Sequence, residues 1–391
     1  MEQGMMNRPD PQANRGTGPD ILPLLPGAVC CPAGEETGPK LPSLGQAFVT
    51  GSVETPAGRL PRVSSRLERR DRWGAIKARW GIGRMGYTLD PGLYALGVPD
   101  GESPVLVSAN YKLSFDRLRS ALAGRDAWIL VLDTKGINVW CAAGKGTFGT
   151  EELVRRIESI GLKEVVGHRS LILPQLGAPG VAAHTVKKLS GFGVKYGPVR
   201  ADDLPAYLDA GCRATEAMRR KGFTLTERAV LIPIELIEAV KPMLMISLVL
   251  FFLSGIGGPG GFWENAAAYG TFAVVALLSA VAAGAVLNPL LLPYLPGRAF
   301  ATKGLWLGAA VAVTVLALKG FDPSVWTGRL AIAAWLLVIP AVTAYLAMNF
   351  TGCSTYTSLS GVYREMRWAL PLEIGMGLTG LVIWVVSRAI A

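Results

Sequence analysis

Apolar positions fall into two patterns along this chain. Up to about Lys241 they come in short runs separated by stretches with helical spacing. The runs at 104–108, 127–132, 171–173 and 194–199 predict buried strands. Between them, 113–122 predicts a helix with Ser114 as its N-cap, and a second runs from Thr150 to about Ile160, with Thr150 as N-cap and Glu151 and Glu152 in its first turn. Further helices are predicted over 182–189 and from Asp202. Beyond Lys241 the apolar runs lengthen and nearly lose their charges. Five segments, about 242–257, 269–292, 304–319, 330–349 and 370–388, have the composition of membrane spans. Pro242, Pro289 and Pro340 are expected to mark helix starts or kinks. Ahead of the strands, 59–86 is basic, and Trp73, Ile76 and Trp80 share one helical face. It predicts a surface helix that covers a core or touches a membrane. The stretch 84–99 looks extended, with a turn at Asp90-Pro91-Gly92. Residues 1–58 show no sustained period and read as a disordered tail.

Strand–helix alternation over about 100 residues predicts a mostly parallel, Rossmann-like sheet. The fold class is therefore an α/β domain followed by an all-α transmembrane domain of about five helices. The division is a tail at 1–58, an α/β domain at 59–225, a connector at 226–241 and a transmembrane domain at 242–391. In such sheets ligands bind at the carboxyl ends of the strands. Three loops leave those ends, at 108–112, 133–149 and 174–180, and all are rich in glycine, small and amide residues.

Composition narrows the partners. The chain carries 39 basic and 29 acidic residues, a net charge of +10. Much of the excess lies between Arg66 and Arg84, beside no nucleic-acid-binding motif, so a surface near anionic lipid is expected rather than nucleic acid. The loops predicted to lie inside hold Arg298, Lys303, Arg364 and Arg367, and those outside hold Lys319 and Arg329. That bias puts the soluble half in the cytoplasm of a multi-pass protein of the inner membrane. No signal-peptide pattern opens the chain.

The chemistry is bounded first by what is absent. There is no phosphate-binding G-x-x-x-x-G-K-[ST], no H-E-x-x-H and no G-x-S-x-G. The five cysteines (Cys30, Cys31, Cys141, Cys212 and Cys353) form neither a C-x-x-C nor a cluster-binding array. Cys30-Cys31 reads as an incidental pair in the tail, and Cys353 as a small packed residue or a soft contact near the inner membrane edge. Of the two histidines, His184 reads as structural, while His168, just before a strand, is a candidate donor to a ligand. That leaves Cys141. Most free cysteines are small buried hydrophobes, but this one sits among glycines in a strand-end loop, where burial is scarce. Soft sulfur suits a soft or borderline metal. Trp140 offers a flat apolar surface, Gly144, Gly146 and Gly149 permit close backbone approach, and Lys145 can meet a polar group of a bulky ligand.

The run Asn138-Val139-Trp140-Cys141-Ala142-Ala143-Gly144-Lys145 resembles the cap-helix motif of the membrane-anchored corrinoid proteins of microbial mercury methylation. The stretches 105–112, 173–180 and 196–198 are similar to that family and to its relative, the large subunit of the corrinoid iron–sulfur protein of acetyl-CoA synthesis. The C-terminal part, at 350–361 and 364–367, also resembles the mercury family. One departure is Ser108, where threonine is expected; the hydroxyl is kept. The resemblance implies a corrinoid of cobalamin type bound with its own base displaced, and Cys141 as thiolate below cobalt, serving as both metal ligand and catalytic residue. It implies cofactor contacts from Ser108, Asn110, Asn138, Val139, Trp140, Ala142, Gly144, Lys145, Gly146, Thr147, His168, Gln175 and Gly177. The implied activity is a corrinoid-dependent methyltransferase that passes a methyl group to Hg(II). The implied partners are a ferredoxin-like 4Fe–4S electron donor and a methyl source, either a methylated folate or a methyltransferase. Two other readings stand beside it: a membrane-bound corrinoid methyl carrier of one-carbon and acetyl-CoA metabolism that never meets mercury, and a transporter with a regulatory domain. Against the transporter, the spans hold few charges, with Glu373 the main one.

Overall fold

The computed structural model describes residues 41–353 and 359–391. An α/β domain is followed by a helical region with five helices long and apolar enough to cross a membrane. Strands β1 (Val49–Thr55), β2 (Gly58–Val63), β3 (Gly92–Leu96), β4 (Val105–Ala109), β5 (Ala127–Leu132), β6 (Ser170–Leu173) and β7 (Gly193–Tyr196) form one sheet in the order β1-β2-β3-β5-β4-β6-β7. The segment β5-β4-β6-β7 is parallel, as the alternation predicts. β3, β4 and β5 are buried along their whole length, so their residues are apolar without alternation.

The amino-terminal half of the sheet departs from the sequence reading. Residues 49–55, assigned to the disordered tail, pair with β2 as an antiparallel hairpin. The turn needs Gly58 at φ +113°, and the Thr55 hydroxyl donates to its carbonyl at 2.7 Å. Leu60 and Val63 are buried against the sheet, so the glycine and proline here punctuate a turn. Residues 1–40, with Cys30 and Cys31, lie outside the described residues. The extended stretch after Arg84 contains β3, which runs antiparallel to β5 and makes the sheet mixed.

Helices α1 (Arg69–Arg79) and α2 (Lys112–Ala121) are followed by α3 (Val139–Lys145), α4 (Thr150–Ser159), α5 (Leu162–Val165), α6 (Ala183–Ser190), α7 (Leu204–Asp209) and α8 (Glu216–Arg219). Two predicted caps move. The residue capping α2 is Tyr111 rather than Ser114. α4 is preceded by Gly149, and the Thr150 hydroxyl instead accepts from the Ala182 amide at 2.8 Å, tying α4 to the start of α6. On one face of the sheet, Phe115, Leu118 and Leu122 of the α2 segment pack with Tyr94, Leu106 and Ile129. On the other, Ala142, Ala143, Leu153, Ile157 and Val186 pack with Val107, Leu130 and Leu173.

The apolar helices are Leu225–Leu253, Phe262–Leu291, Phe300–Lys319, Trp326–Asn349 and Gly361–Ala389. The 226–241 stretch, read as a connector, is mostly helical and runs into the first of them. Pro242 and Pro340 lie inside helices, while Pro289 opens a short α-helical turn directly after a π-helical stretch of the second span, Ala282–Leu287. Small residues let the backbones close on one another. A Cβ at Gly304 would lie 2.6 Å from Ala344 Cα, and one at Gly308 would lie 2.6 Å from Pro340 Cα. The two parts of the chain meet where a Cβ at Gly81 would lie 3.0 Å from Ile234 Cδ1 and where Phe223, just before the first apolar helix, stacks on Phe350; within the helical part Arg228 donates to the Leu290 carbonyl at 3.3 Å.

Candidate functional site

The chain leaves β4 through α2 to reach β5, then crosses back over β4 to reach β6. This reversal opens a crevice at the carboxyl ends of β4 and β6, the place where α/β sheets bind ligands. A cavity of about 680 Å3 lies there, within the ~300–1,000 Å3 usual for cofactor and small-molecule sites. Its walls come from Leu106, Val107 and Ser108 of β4, Leu173 and Pro174 at the end of β6, Gly197-Pro198 after β7, and Val139 of α3. Ser108 is buried, and its hydroxyl makes only a 3.4 Å contact to the neighbouring Ala109 carbonyl. A further wall is α1, through Arg72, Ala75, Ile76 and Arg79.

The loop after β5 turns into α3 under local control. Asn110, just past β4, accepts at Oδ1 from the amides of Thr134 and Gly136 (3.0 Å each) and from the Thr134 hydroxyl (2.9 Å). Lys135 and Gly136 take positive φ there, and a Cβ on Gly136 would lie 2.7 Å from Thr88 Cγ2. Asp133 braces the turn from Lys135. Burial pushes its carboxyl up, but hydrogen bonds from the Lys135 ammonium and amide more than offset that and hold it below the ordinary value. Asn138 then caps α3 by accepting the Cys141 amide at 2.9 Å. Gly146, in the left-handed conformation at φ +81°, ends the helix.

α3 sorts the expected contact residues onto opposite faces. Ala142 and Ala143 point inward and are buried, so Ala142 packs the helix on the core rather than facing a ligand. Cys141 is half-buried on the outer side, and a Cβ at Gly144, one turn on, would meet nothing within 4 Å. The outer face of α3 is thus a free thiol beside a flat, small-residue surface. Val139 faces the crevice cavity; Cys141 is not among the cavity's walls. Crevice and thiol therefore lie on the same helix but on different sides of it. Trp140 is half-buried, Gly144 and Lys145 are exposed, and Thr147 reaches back toward the Ala142 carbonyl at 3.4 Å.

Three expected contacts are placed elsewhere or occupied. His168 precedes β6 and so lies at the amino ends of the parallel strands, opposite to α3. Both its ring nitrogens are used by backbone: Nε2 donates to the Ser103 carbonyl at 2.9 Å, and Nδ1 accepts the Ser170 amide at 3.2 Å. In a parallel sheet, a residue just before a strand is on the wrong edge for a carboxyl-end site. Gln175 accepts from Arg219 of α8. Gly177 has a packing role, since its Cβ would lie 2.5 Å from the Phe148 ring. Gly180 is tighter still, at 2.1 Å from the Phe148 carbonyl oxygen and 3.1 Å from Ala143 Cα. These two glycines let the 175–180 turn seat α3.

Sequence reasoning missed two contributors. Arg219 gathers the loops after β6 and β7, donating to Gln175 and to the carbonyls of Tyr196 (3.0 Å) and Gly197 (3.1 Å). A buried ionic cluster fixes the α1 wall. Asp71 pairs with Lys112 (3.0 Å) and Arg119 (2.7 Å), and Asp116 pairs with the same two cations. All four side chains are almost fully buried. Burial pushes the Asp71 carboxyl up, but the Glu68 amide and the two cations more than offset it, leaving it below the ordinary value. The i,i+4 and i,i+3 spacing of Lys112, Asp116 and Arg119 was visible in sequence; their tertiary partner Asp71 was not.

Comparison with known proteins bears on this same region. Residues 83–208 match the family described as CO dehydrogenase/acetyl-CoA synthase delta subunit. The acetyl-CoA decarbonylase/synthase complex subunit gamma of Methanopyrus kandleri is 34 % identical over 123 residues, which is 31 % of this chain and 26 % of that protein. The subunit gamma of Methanothermobacter thermautotrophicus is 32 % identical over 128 residues, 32 % of this chain and 28 % of the relative. That of Methanocaldococcus jannaschii is 35 % identical over 97 residues, 24 % and 20 % respectively. The chain thus covers about a quarter of the length of these relatives. The matched segment takes in β3 to α7, including α3 and most of the cavity, and stops before the first apolar helix.

Proposed function

We propose that this chain is a membrane-anchored corrinoid protein that carries a methyl group, with Cys141 as the protein's axial ligand to cobalt. The observation that carries the reading is the free, half-buried thiol on the outer face of a capped helix at the carboxyl end of the sheet, inside the segment shared with the relatives. Among the described residues no three His, Cys, Asp or Glu side chains converge on a metal site. A metal held by Cys141 would therefore bring its other ligands with it, as the cobalt of a macrocycle does. The residues fit that group: beside the thiol, Gly144 leaves open the space that a side chain would fill.

When bound, a corrinoid supplies a cobalt centre that accepts and releases methyl groups. Cys141 would hold its lower face through sulfur, with Asn138 fixing the turn that aims the thiol. Asn110 holds the turn that leads into α3, and Gly177 and Gly180 let the 175–180 turn pack against it, so these three would hold the thiol's helix in place. Val139 and Ser108 face the crevice, where the ring's side groups or nucleotide tail have room. Because no cluster-type cysteine spacing occurs in the chain, reduction calls for a separate 4Fe–4S protein. The five apolar helices would anchor the carrier, and the excess of basic residues at one side of them supports a cytoplasmic α/β domain.

Of the two methyl acceptors considered, the names of the relatives favour one-carbon chemistry of the acetyl-CoA type. The second reading, transfer to Hg(II) from a methylated folate source, rests on the run 138–145 and on the match between a thiolate-supported metal and a soft acceptor. The test begins with visible spectra of the full-length protein titrated with hydroxocobalamin. A Cys141-dependent shift is expected, and Cys141→Ala should leave the spectrum of the free cofactor. An identical shift in the variant would remove Cys141 from the metal. Supplying the methylated holoprotein with Hg(II) then separates the acceptors: methylmercury formed only with Cys141 intact supports the mercury reading, and its absence leaves the methyl carrier.

A further inference from the structure

Between residues 41 and 224, eight large apolar side chains are exposed, and five of them (Trp73, Ile76, Trp80, Ile82 and Met85) lie on or just after α1. A soluble domain seldom concentrates its exposed apolar surface in one helix without a partner. The same face carries Arg69 and Lys77, with Lys77 over the Trp73 ring at 5.9 Å. Asp71, the helix's acid, is turned inward into the buried ionic cluster. The outer surface of α1 is therefore basic and aromatic. Its place in the fold says what it faces. Gly81, directly after α1, sits where a Cβ would lie 3.0 Å from Ile234 Cδ1, near the start of the first apolar helix. That end of the bundle also holds the Leu290 and Phe350 contacts, and with them Arg298 and the first turns of the helices that carry Lys303, Arg364 and Arg367.

We propose that α1 lies on an anionic membrane surface as an interfacial anchor, with Trp73, Ile76 and Trp80 in the headgroup region and Arg69 and Lys77 against lipid phosphates. Basic amphipathic helices with tryptophan bind such surfaces in this way. The proposal rests on the reading that the five apolar helices span the membrane, and it adds a consequence for the site. Arg72, Ile76 and Arg79 also line the crevice cavity, so the lipid-bound helix is one of its walls and holds the cavity mouth at the membrane surface.

The test is hydroxyl-radical footprinting of the full chain in nanodiscs of phosphatidylcholine alone or mixed with phosphatidylglycerol. Oxidation of Trp73, Trp80 and Met85 is normalised to Leu189, which is exposed elsewhere on the domain. Adding phosphatidylglycerol should slow all three by about fivefold or more, the weight of one basic side chain near an anionic leaflet. The variant Arg69→Gln/Lys77→Gln should return them toward the phosphatidylcholine rates. Equal normalised rates in the two nanodiscs overturn the proposal, and this comparison needs no variant. Alkaline carbonate extraction of native membranes separates the two readings. A chain that resists extraction while α1 shows no lipid dependence loses the anchor and keeps the spans; a chain that is extracted loses both.

Discussion

On one face of the sheet α1 is joined to α2 by four buried charges; on the other, α3 is seated without an ion pair among the described residues. α3 instead rests on Ala142 and Ala143, on the glycines of the 175–180 turn and on the Asn110 amide. The contrast teaches how each wall of the candidate site is held. The α1 wall depends on charge compensation in a dry environment, where an unpaired partner is costly. The α3 wall depends on close backbone approach, where a single added methyl group is the threat.

The largest effect should come from breaking the charged wall. Asp71→Ala leaves Lys112 and Arg119 sharing Asp116 alone and is expected to cost about 3–5 kcal/mol, as for other broken buried pairs. Urea unfolding of the full chain, followed by tryptophan fluorescence, measures it, and a loss under about 1 kcal/mol would mean that surface-type screening operates there. Gly180→Ala attacks the other wall. With backbone atoms of Phe148 and Ala143 in its way, it should cost about 1–3 kcal/mol and weaken the Cys141-dependent cobalamin spectrum more than Asp71→Ala does. The reverse order would show that α1, not α3, positions the thiol.

Smaller effects refine the picture. Asn138→Ala removes the cap on the Cys141 amide and should cost about 1 kcal/mol, with broadened rather than abolished cofactor spectra. The pH dependence separates the walls most gently. The folded-state pKa of Asp71 is lowered, so its contribution is fully present above the ordinary carboxylate value and is lost as pH falls through the lowered one. Stability should therefore fall below about pH 4, and Asp71→Asn should flatten that part of the curve. His168, bonded to backbone on both nitrogens at the far edge, should be dispensable for the cofactor spectrum: His168→Ala is expected to leave it unchanged, within about 0.5–3 kcal/mol of wild-type stability.

Much of the fold was legible because its determinants are local. The strands β4, β5 and β6 announced themselves as short apolar runs between helical spacings, and the five long apolar helices by length and lack of charge. The hairpin at 49–63 was not legible. Its strands alternate weakly, and the glycine and proline that shape the turn look the same in a tail. Within the candidate site, the run 138–145 stood out by composition, and the carboxyl-end rule placed it. His168 reads in the sequence as a candidate donor just before a strand; the structure places it there, at the opposite edge of the sheet from α3, with both ring nitrogens bonded to backbone.

The two-part organisation and the unusual cysteine-bearing stretch after β5 could be read from the chain alone, because hydrophobic period, span length and residue chemistry are properties of neighbours along the chain. Tertiary packing was needed to learn which side of α3 bears Cys141 and which bears Val139, that Asn110 holds the 134–136 turn and Gly177 packs on Phe148, and that Asp71 is the counterion of Lys112 and Arg119. Those outcomes depend on atoms brought together from distant positions, where steric fit and the cost of burying charge choose the partner. The thiol, the crevice and the basic helix were each visible as residues; only the three-dimensional fold made them one helix's two faces and the opposing wall.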